Sequence, residues 1–201
     1  MNVLTYSCDL PPIDRREWFR YMGAPNPSAE LEHIADDCAR EAEHCFAGRV
    51  CYCELPVRHT EGVVDLSFGR IESHSLSKRL LGCDRAVVFA ATVGLEIDRL
   101  IAKYSRISPA KALCLQALGT ERIEALCDVF CKDLQKRVQK NGFVTVPRFS
   151  AGYGDLPLSL QSDLFRVLDC SRRIGVSLNE SLLMSPTKSV TAIVGIRKDN
   201  K

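Results

Sequence analysis

Among the side chains able to do chemistry, one stretch combines several in a short span: RFSAGYGDLP, residues 148–157. It sets Arg148 at the end of an expected strand, followed by Ser150, Gly152, Tyr153, Gly154 and Asp155. Arginine presents a rigid planar fork that suits a carboxylate. A residue without a Cβ, as at Gly152, lets backbone approach a ligand closely, and Tyr153 offers an apolar face with a polar tip. Together these suit a zwitterionic ligand that carries a ring. The same spacing also fits a surface turn that merely exposes an arginine.

Elsewhere the reactive residue types fall into no catalytic or metal-binding pattern. The ten cysteines, at 8, 38, 45, 51, 53, 83, 114, 127, 131 and 170, include no C-x-x-C pair. They therefore lack the paired ligands of a structural zinc site and the tight run of an iron–sulfur cluster. They read as small buried hydrophobes, Cys127 with Cys131 on one helix face and Cys51 with Cys53 on one strand face. His33 and His44 are placed on one helix, while His59 and His74 sit near turns; no H-E-x-x-H occurs. The Val93-Gly94 turn carries a lone glycine rather than a phosphate-cradling cluster, and reads as a plain turn. No metal site and no catalytic nucleophile or base is expected.

The elements that must position the arginine stretch can be read from periodicity. Asp14 and Glu17 form a D-x-x-E capping box for a first helix that Gly23 stops. Ser28 caps a second, with Leu31, Ile34, Ala35, Cys38, Ala42, Cys45 and Phe46 on one face up to Gly48. Cys51 to Val57 and Val64 to Phe68 alternate as strands able to pair with each other. The unbroken apolar run Ala86–Ala91 fits a strand covered on both faces. Gly94 ends it, a helix resumes over 95–104, and a long one runs from Pro109 to about Lys140. Phe143 to Phe149 is β-prone, Leu160 to Leu168 helical, and Val190 to Ile196 alternates in a final strand. The order lacks the regular rhythm of a doubly wound sheet. The expected fold is α+β: a single domain over 1–201 with a mixed, mainly antiparallel sheet and several helices.

Composition narrows the function classes. With 27 basic and 25 acidic side chains and a net charge of +2 in 201 residues, there is no basic footprint for nucleic acid. Hydrophobic residues at 46% and charged residues at 26% are those of a globular chain. No apolar run is long enough to span a membrane, and the first residues lack the n- and h-regions of a secretory signal, so a cytoplasmic location is expected.

From Arg148 onward the sequence resembles the activation (reactivation) domain of cobalamin-dependent methionine synthase. Arg148, Gly152 and Tyr153 match that family's R-x-x-x-G-Y. Ile174, Gly175, Leu178, Glu180 and Ser181 match its I-G-V/M-x-L-x-E-S segment, and Pro186, Ser189 and Val190 its P-x-x-S-V strand. A weaker likeness runs upstream through PPIDRREWFRYMG and TVGLEIDRLI. The resemblance divides the chain into an N-terminal helical part, about 12–47, and a signature region, about 143–197.

The resemblance implies an S-adenosylmethionine-binding component of a methyltransferase system in methionine biosynthesis, acting as a free-standing subunit. Its partner would be a separate cobalamin-dependent methionine synthase or other corrinoid protein, with one electron coming from a flavodoxin- or ferredoxin-like donor. The cobalt nucleophile then belongs to cobalamin presented by the partner, and the chain's task is positioning. Carried over by position, Arg148 holds the ligand carboxylate. Ser150, Ala151, Gly152 and Tyr153 line the site, with Tyr153 at the methyl end. Asp14 contacts the ammonium or serves only as a helix cap, and Lys188 and Ser189 approach from a loop or simply enter a strand. Two departures stand out. Gly154 replaces the proline that often follows Gly-Tyr, which loosens the loop. The sequence also ends at Lys201, without the aromatic residues that enclose the adenosyl group in longer members. The second departure motivates an alternative: a non-catalytic corrinoid-protein docking module that has lost S-adenosylmethionine binding. A radical enzyme of the S-adenosylmethionine class is excluded by the lack of C-x-x-x-C-x-x-C.

Overall fold

The structure is a computed structural model, describing residues 1–60 and 62–199; the chain end at Lys201 lies outside the described residues. In order the elements are β1 (Leu4–Tyr6), α1 (Arg15–Tyr21), α2 (Ala29–Glu41), β2 (Arg49–Pro56), β3 (Arg58–Thr60), β4 (Val63–Asp65) and β5 (Arg70–Glu72). Then come α3 (His74–Arg79), β6 (Arg85–Thr92), α4 (Glu96–Ser105), α5 (Pro109–Gln139) and β7 (Phe143–Thr145). The chain closes with α6 (Leu160–Leu168), α7 (Cys170–Ile174), β8 (Ser177–Leu178), β9 (Met184–Ser185) and β10 (Ser189–Lys198). This is the expected α+β class, and the main sheet is wholly antiparallel, in the order β1-β2-β6-β10-β7.

Both faces of that sheet are covered, which explains the apolar run in β6. Val87, Phe89 and Ala91 join one core with α1, α2, α4 and α5. Ala86, Val88 and Ala90 join a second with α3, α6, α7 and the small β3-β4-β5 sheet. β10 is likewise buried on both sides from Ala192 to Ile196, rather than alternating between core and solvent. It lies inside the sheet, between β6 and β7. The α5 helix starts as expected, with Ser108 capping the Lys111 N–H and Pro109 in the first turn. It is seated by Phe130, whose ring centroid lies 4.9 Å from Phe89, 5.1 Å from Tyr52 and 5.4 Å from Tyr6. Each such aromatic pair adds about 0.5–1.5 kcal/mol beyond the area it buries, so the register of α5 over the sheet is well fixed.

Several expectations are corrected. Asp14 caps α1 by accepting from the Arg16 and Glu17 N–H groups, but the reciprocal half of the box is not made. The Asp14 N–H donates to Glu121 at 3.1 Å, and Glu17 pairs with Arg20. Helix α2 stops at Glu41, not near Gly48; Cys45 folds back onto the Ala42 carbonyl and Ala47 donates to Val93 beside the sheet. His44 is therefore off the helix that bears His33. The strand at Cys51–Leu55 does not pair with the one at Val64: β2 lies between β1 and β6, and β4 sits in the three-stranded sheet. All ten cysteines are free, seven of them buried and three half-buried.

Candidate functional site

Arg148 is placed by the edge of the sheet. Beyond β7 the chain stays beside β10: the Val146 N–H donates to the Gly195 carbonyl at 2.9 Å, and Phe149 and Ile193 exchange bonds of 2.9 and 2.8 Å. Between these anchors the Arg148 guanidinium reaches across to α5. One terminal nitrogen donates to Asp128 at 2.7 Å and the other to Glu124. Those two acids are one helical turn apart and share a face. Burial works against the arginine's charge, but the Glu124 and Asp128 carboxylates outweigh it and the net shift is upward. Burial pushes the Cys127 and Cys131 thiols beside it up as well, so they stay protonated and are poor nucleophiles.

The loop after Arg148 is held by Asp155. Its carboxylate accepts from the Ser73 hydroxyl at 2.6 Å, the His74 N–H at 2.7 Å and the Ser75 N–H at 3.1 Å, at the start of α3. The Ser73 hydroxyl first, then these amides, hold the carboxyl far below the usual carboxylate range. Gly154 allows the approach: its φ is +58°, and a Cβ there would stand 2.7 Å from the Ser75 hydroxyl oxygen. Gly152 has φ +89° and donates to the Leu156 carbonyl at 2.9 Å, closing the turn that carries Tyr153. The loosening expected at Gly154 is thus offset by a polar anchor on a neighbouring helix.

These elements enclose a hollow of about 560 Å³ that brings together Arg148, Ser150, Ala151, Tyr153 and Ser189. Glu124, Phe149, Gln161 and Met184 complete much of its wall. Tyr153 stands at the mouth, 67% exposed. Gly152 shapes the loop but does not line the hollow, its Cα side turned to Leu158. Asp14 lines a second hollow of about 510 Å³ with Glu121 and Asp128, and Arg148 and Glu124 line both, so the two meet at the arginine. Lys188 is not brought in. Its stem lies across Gly119 of α5 and its ammonium donates to the Thr120 hydroxyl at 3.2 Å, where burial lowers its pKa. A wider hollow of about 800 Å³ beneath Cys8–Ile13 is a weaker candidate. Its buried cation, Arg122, is already engaged by Glu121 and by the Pro11 and Pro12 carbonyls.

Glu124, Asp128 and Gln161 were not found from the sequence. The two acids precede Arg148 by 24 and 20 positions, and on α5 one is half-buried and the other exposed, so in the sequence they look like ordinary surface acids. No group of three or more His, Cys, Asp or Glu side chains able to hold a metal ion occurs among the described residues. The arrangement can fix a zwitterion, with a cationic fork at the junction and carboxylates on either side.

Fold and site thus define an α+β chain whose candidate groove flanks one long helix and, among the described residues, holds no activated nucleophile. Residues 77–201 match the family "Vitamin B12 dependent methionine synthase, activation domain", and the chain belongs to that family. A solved structure, the crystal structure of the MetH reactivation domain bound to AdoHcy, is similar in fold with a TM-score of 0.74. It is 15% identical in sequence, and the match covers 100% of this chain and 80% of that one. No curated protein matches the sequence. Among the described residues, no helix is long and apolar enough to cross a membrane.

Proposed function

We propose that this chain is an S-adenosylmethionine-binding reactivation subunit, supporting reductive methylation of cob(II)alamin on a separate cobalamin-dependent methionine synthase or related corrinoid protein. Family membership supports the methionine synthase system. The observation that carries the ligand is the Arg148 junction: one fork flanked by Glu124 and Asp128, with hollows on both sides. On this reading Arg148 takes the ligand carboxylate, exchanging or sharing its bonds to the acids. Glu124 and the Asp14 side are then free to face the ammonium. Ser150, Ala151 and Ser189 wall the hollow, and Gly152 shapes the turn that presents Tyr153 at the open mouth. Cobalamin on the partner supplies the methyl-accepting nucleophile, and an electron donor of flavodoxin or ferredoxin type supplies the reducing electron. The chain itself orients the methyl donor and shields it from water. We place this activity in the cytoplasm, with residues 1–201 working as one unit.

One observation favours the alternative docking-module reading: both terminal nitrogens of Arg148 are already satisfied within the chain. Isothermal titration with S-adenosylmethionine separates the two. The subunit reading expects binding heat from the native chain and at least about a tenfold weakening in Arg148→Ala, in keeping with about 1.5–3 kcal/mol for a hydrogen bond to a charged group. No heat from a correctly folded native chain would leave only the docking module.

A further inference from the structure

Two acids hold Arg148, and they are not equivalent. Asp128 accepts from one terminal nitrogen at 2.7 Å and Glu124 from the other, so the fork is split between two carboxylates and neither grips both nitrogens. The Asp128 side chain is 59% exposed, against 38% for Glu124. Glu124 lines the hollows on both sides of the arginine, whereas Asp128 lines only the second. That second hollow is also walled by Asp14, Glu17 and, one turn beyond Asp128 on α5, by Lys132.

Charge decides which of these groups can stay when an amino-acid ligand enters. At the fork itself, Arg148 and the ligand ammonium bring two positive charges. Glu124, Asp128 and the ligand carboxylate bring three negative ones. Carboxylates crowded on one cation repel each other, so one of the three gives way. Releasing Asp128 costs least, because its side chain is already more than half in water and an exposed ion pair contributes little. Lys132 lies four residues on, the spacing at which an acid and a following base meet on a helix, so the released carboxylate has a second partner within reach. The ligand carboxylate gains more than Asp128 loses, since it can take both nitrogens of the planar fork at once. Glu124 stays between the hollows, where it can face the ammonium.

We propose that Asp128 holds the ligand carboxylate's place on Arg148 until the ligand displaces it, and thereby sets the affinity of the site for ligands that carry a carboxylate. The inference rests on the S-adenosylmethionine reading above and extends it to how that site is regulated. The test is calorimetric titration of the native chain and of Asp128→Asn with S-adenosylmethionine and with its decarboxylated form, alongside thermal unfolding of both chains. Asp128→Asn is expected to bind S-adenosylmethionine about three- to tenfold more tightly, as the competing ion pair is removed. The decarboxylated ligand, with no carboxylate to compete, should gain nothing from the substitution. The ligand-free midpoint should fall slightly, since an ion pair is lost, so tighter binding cannot be put down to a more stable fold. A site acid that merely buttresses the arginine or pairs with the ammonium gives the opposite sign. Weaker or equal binding of S-adenosylmethionine by Asp128→Asn, or an equal gain for both ligands, would therefore overturn the inference, while binding by the native chain would keep the S-adenosylmethionine reading. Binding by Asp128→Asn alone would support the inference in its strongest form. If neither chain binds either ligand, the reading and the inference fall together.

Discussion

Glu121 and Arg122 are each only 4% exposed, an adjacent acid and base inside α5. Arg122 also donates to the Pro11 carbonyl at 2.6 Å and the Pro12 carbonyl at 3.2 Å, while Glu121 accepts from the Asp14 N–H at 3.1 Å. Two neighbouring side chains thereby fix the Pro11–Asp14 segment along one wall of the groove. Removing one member of such a pair leaves the other charge buried and uncompensated. Arg122→Leu is therefore expected to cost about 3–5 kcal/mol of stability. The double variant Glu121→Gln, Arg122→Leu should recover a good part of that loss, because no buried charge remains. Chemical denaturation of the single and double variants measures both quantities. A single variant within about 1 kcal/mol of the native chain would show that water reaches the site and the pair is not truly buried. None of this was legible in the sequence, where Asp14 and Glu17 look like a self-contained cap. The Asp14 N–H had a partner 107 positions away that no local pattern reveals.

At the level of elements, the loop that bears Tyr153 depends on another element for its shape. Asp155 satisfies the first N–H groups of α3 and the Ser73 hydroxyl, so loop and helix order each other. Those bonds favour the ionised carboxyl and hold its pKa below the ordinary value near 4. The sign follows from linkage: a carboxyl with a depressed folded pKa adds stability that is fully present above the unfolded pKa and drains away as pH falls below it. Native protein should therefore lose stability relative to Asp155→Asn as pH drops below about 4. Above that the gap should be constant, with the native chain the more stable. Thermal midpoints of both chains across pH 2.5–7 would check this, and parallel curves would show that Asp155 carries no special bond. The same level shows where sequence patterns stop informing. Ser108 and Pro109 mark the start of α5 through local hydrogen bonding and a fixed φ, both written in adjacent residues. The end of α2 is not so written. Ala42 and Phe46 still pack on the core after the helix has stopped, so apolar spacing continues while the backbone turns to meet Val93. Alternation likewise identified strands near Cys51 and Val64, but which strand each one pairs with is a non-local choice.

On the scale of the whole molecule, the site sits where the sheet edge, α5 and the α6 start converge, and its mouth is open at Tyr153. The thiols beside Arg148 are pushed away from ionisation, so the groove offers no nucleophile of its own. On the proposed reading the groove holds and aims a ligand for a reagent that arrives from outside. That matches a methyl donor presented to the cofactor of another protein, and it makes the reaction depend on assembly. With S-adenosylmethionine, an electron source and a cobalamin-loaded partner, methylcobalamin formation followed by absorbance should need this chain. Tyr153→Ala should slow the step at least about tenfold while leaving S-adenosylmethionine affinity within about threefold, as expected where a residue orients at the open end rather than anchors. Arg148→Ala should do the converse and raise the concentration of methyl donor required. Equal rates with and without the native chain would rule out a reactivation role. If Tyr153→Ala weakened ligand binding as much as Arg148→Ala, the tyrosine would belong to the anchor and not to the mouth. The division of labour along the groove, carboxylate at the sheet edge and methyl at the solvent, would then have to be reversed.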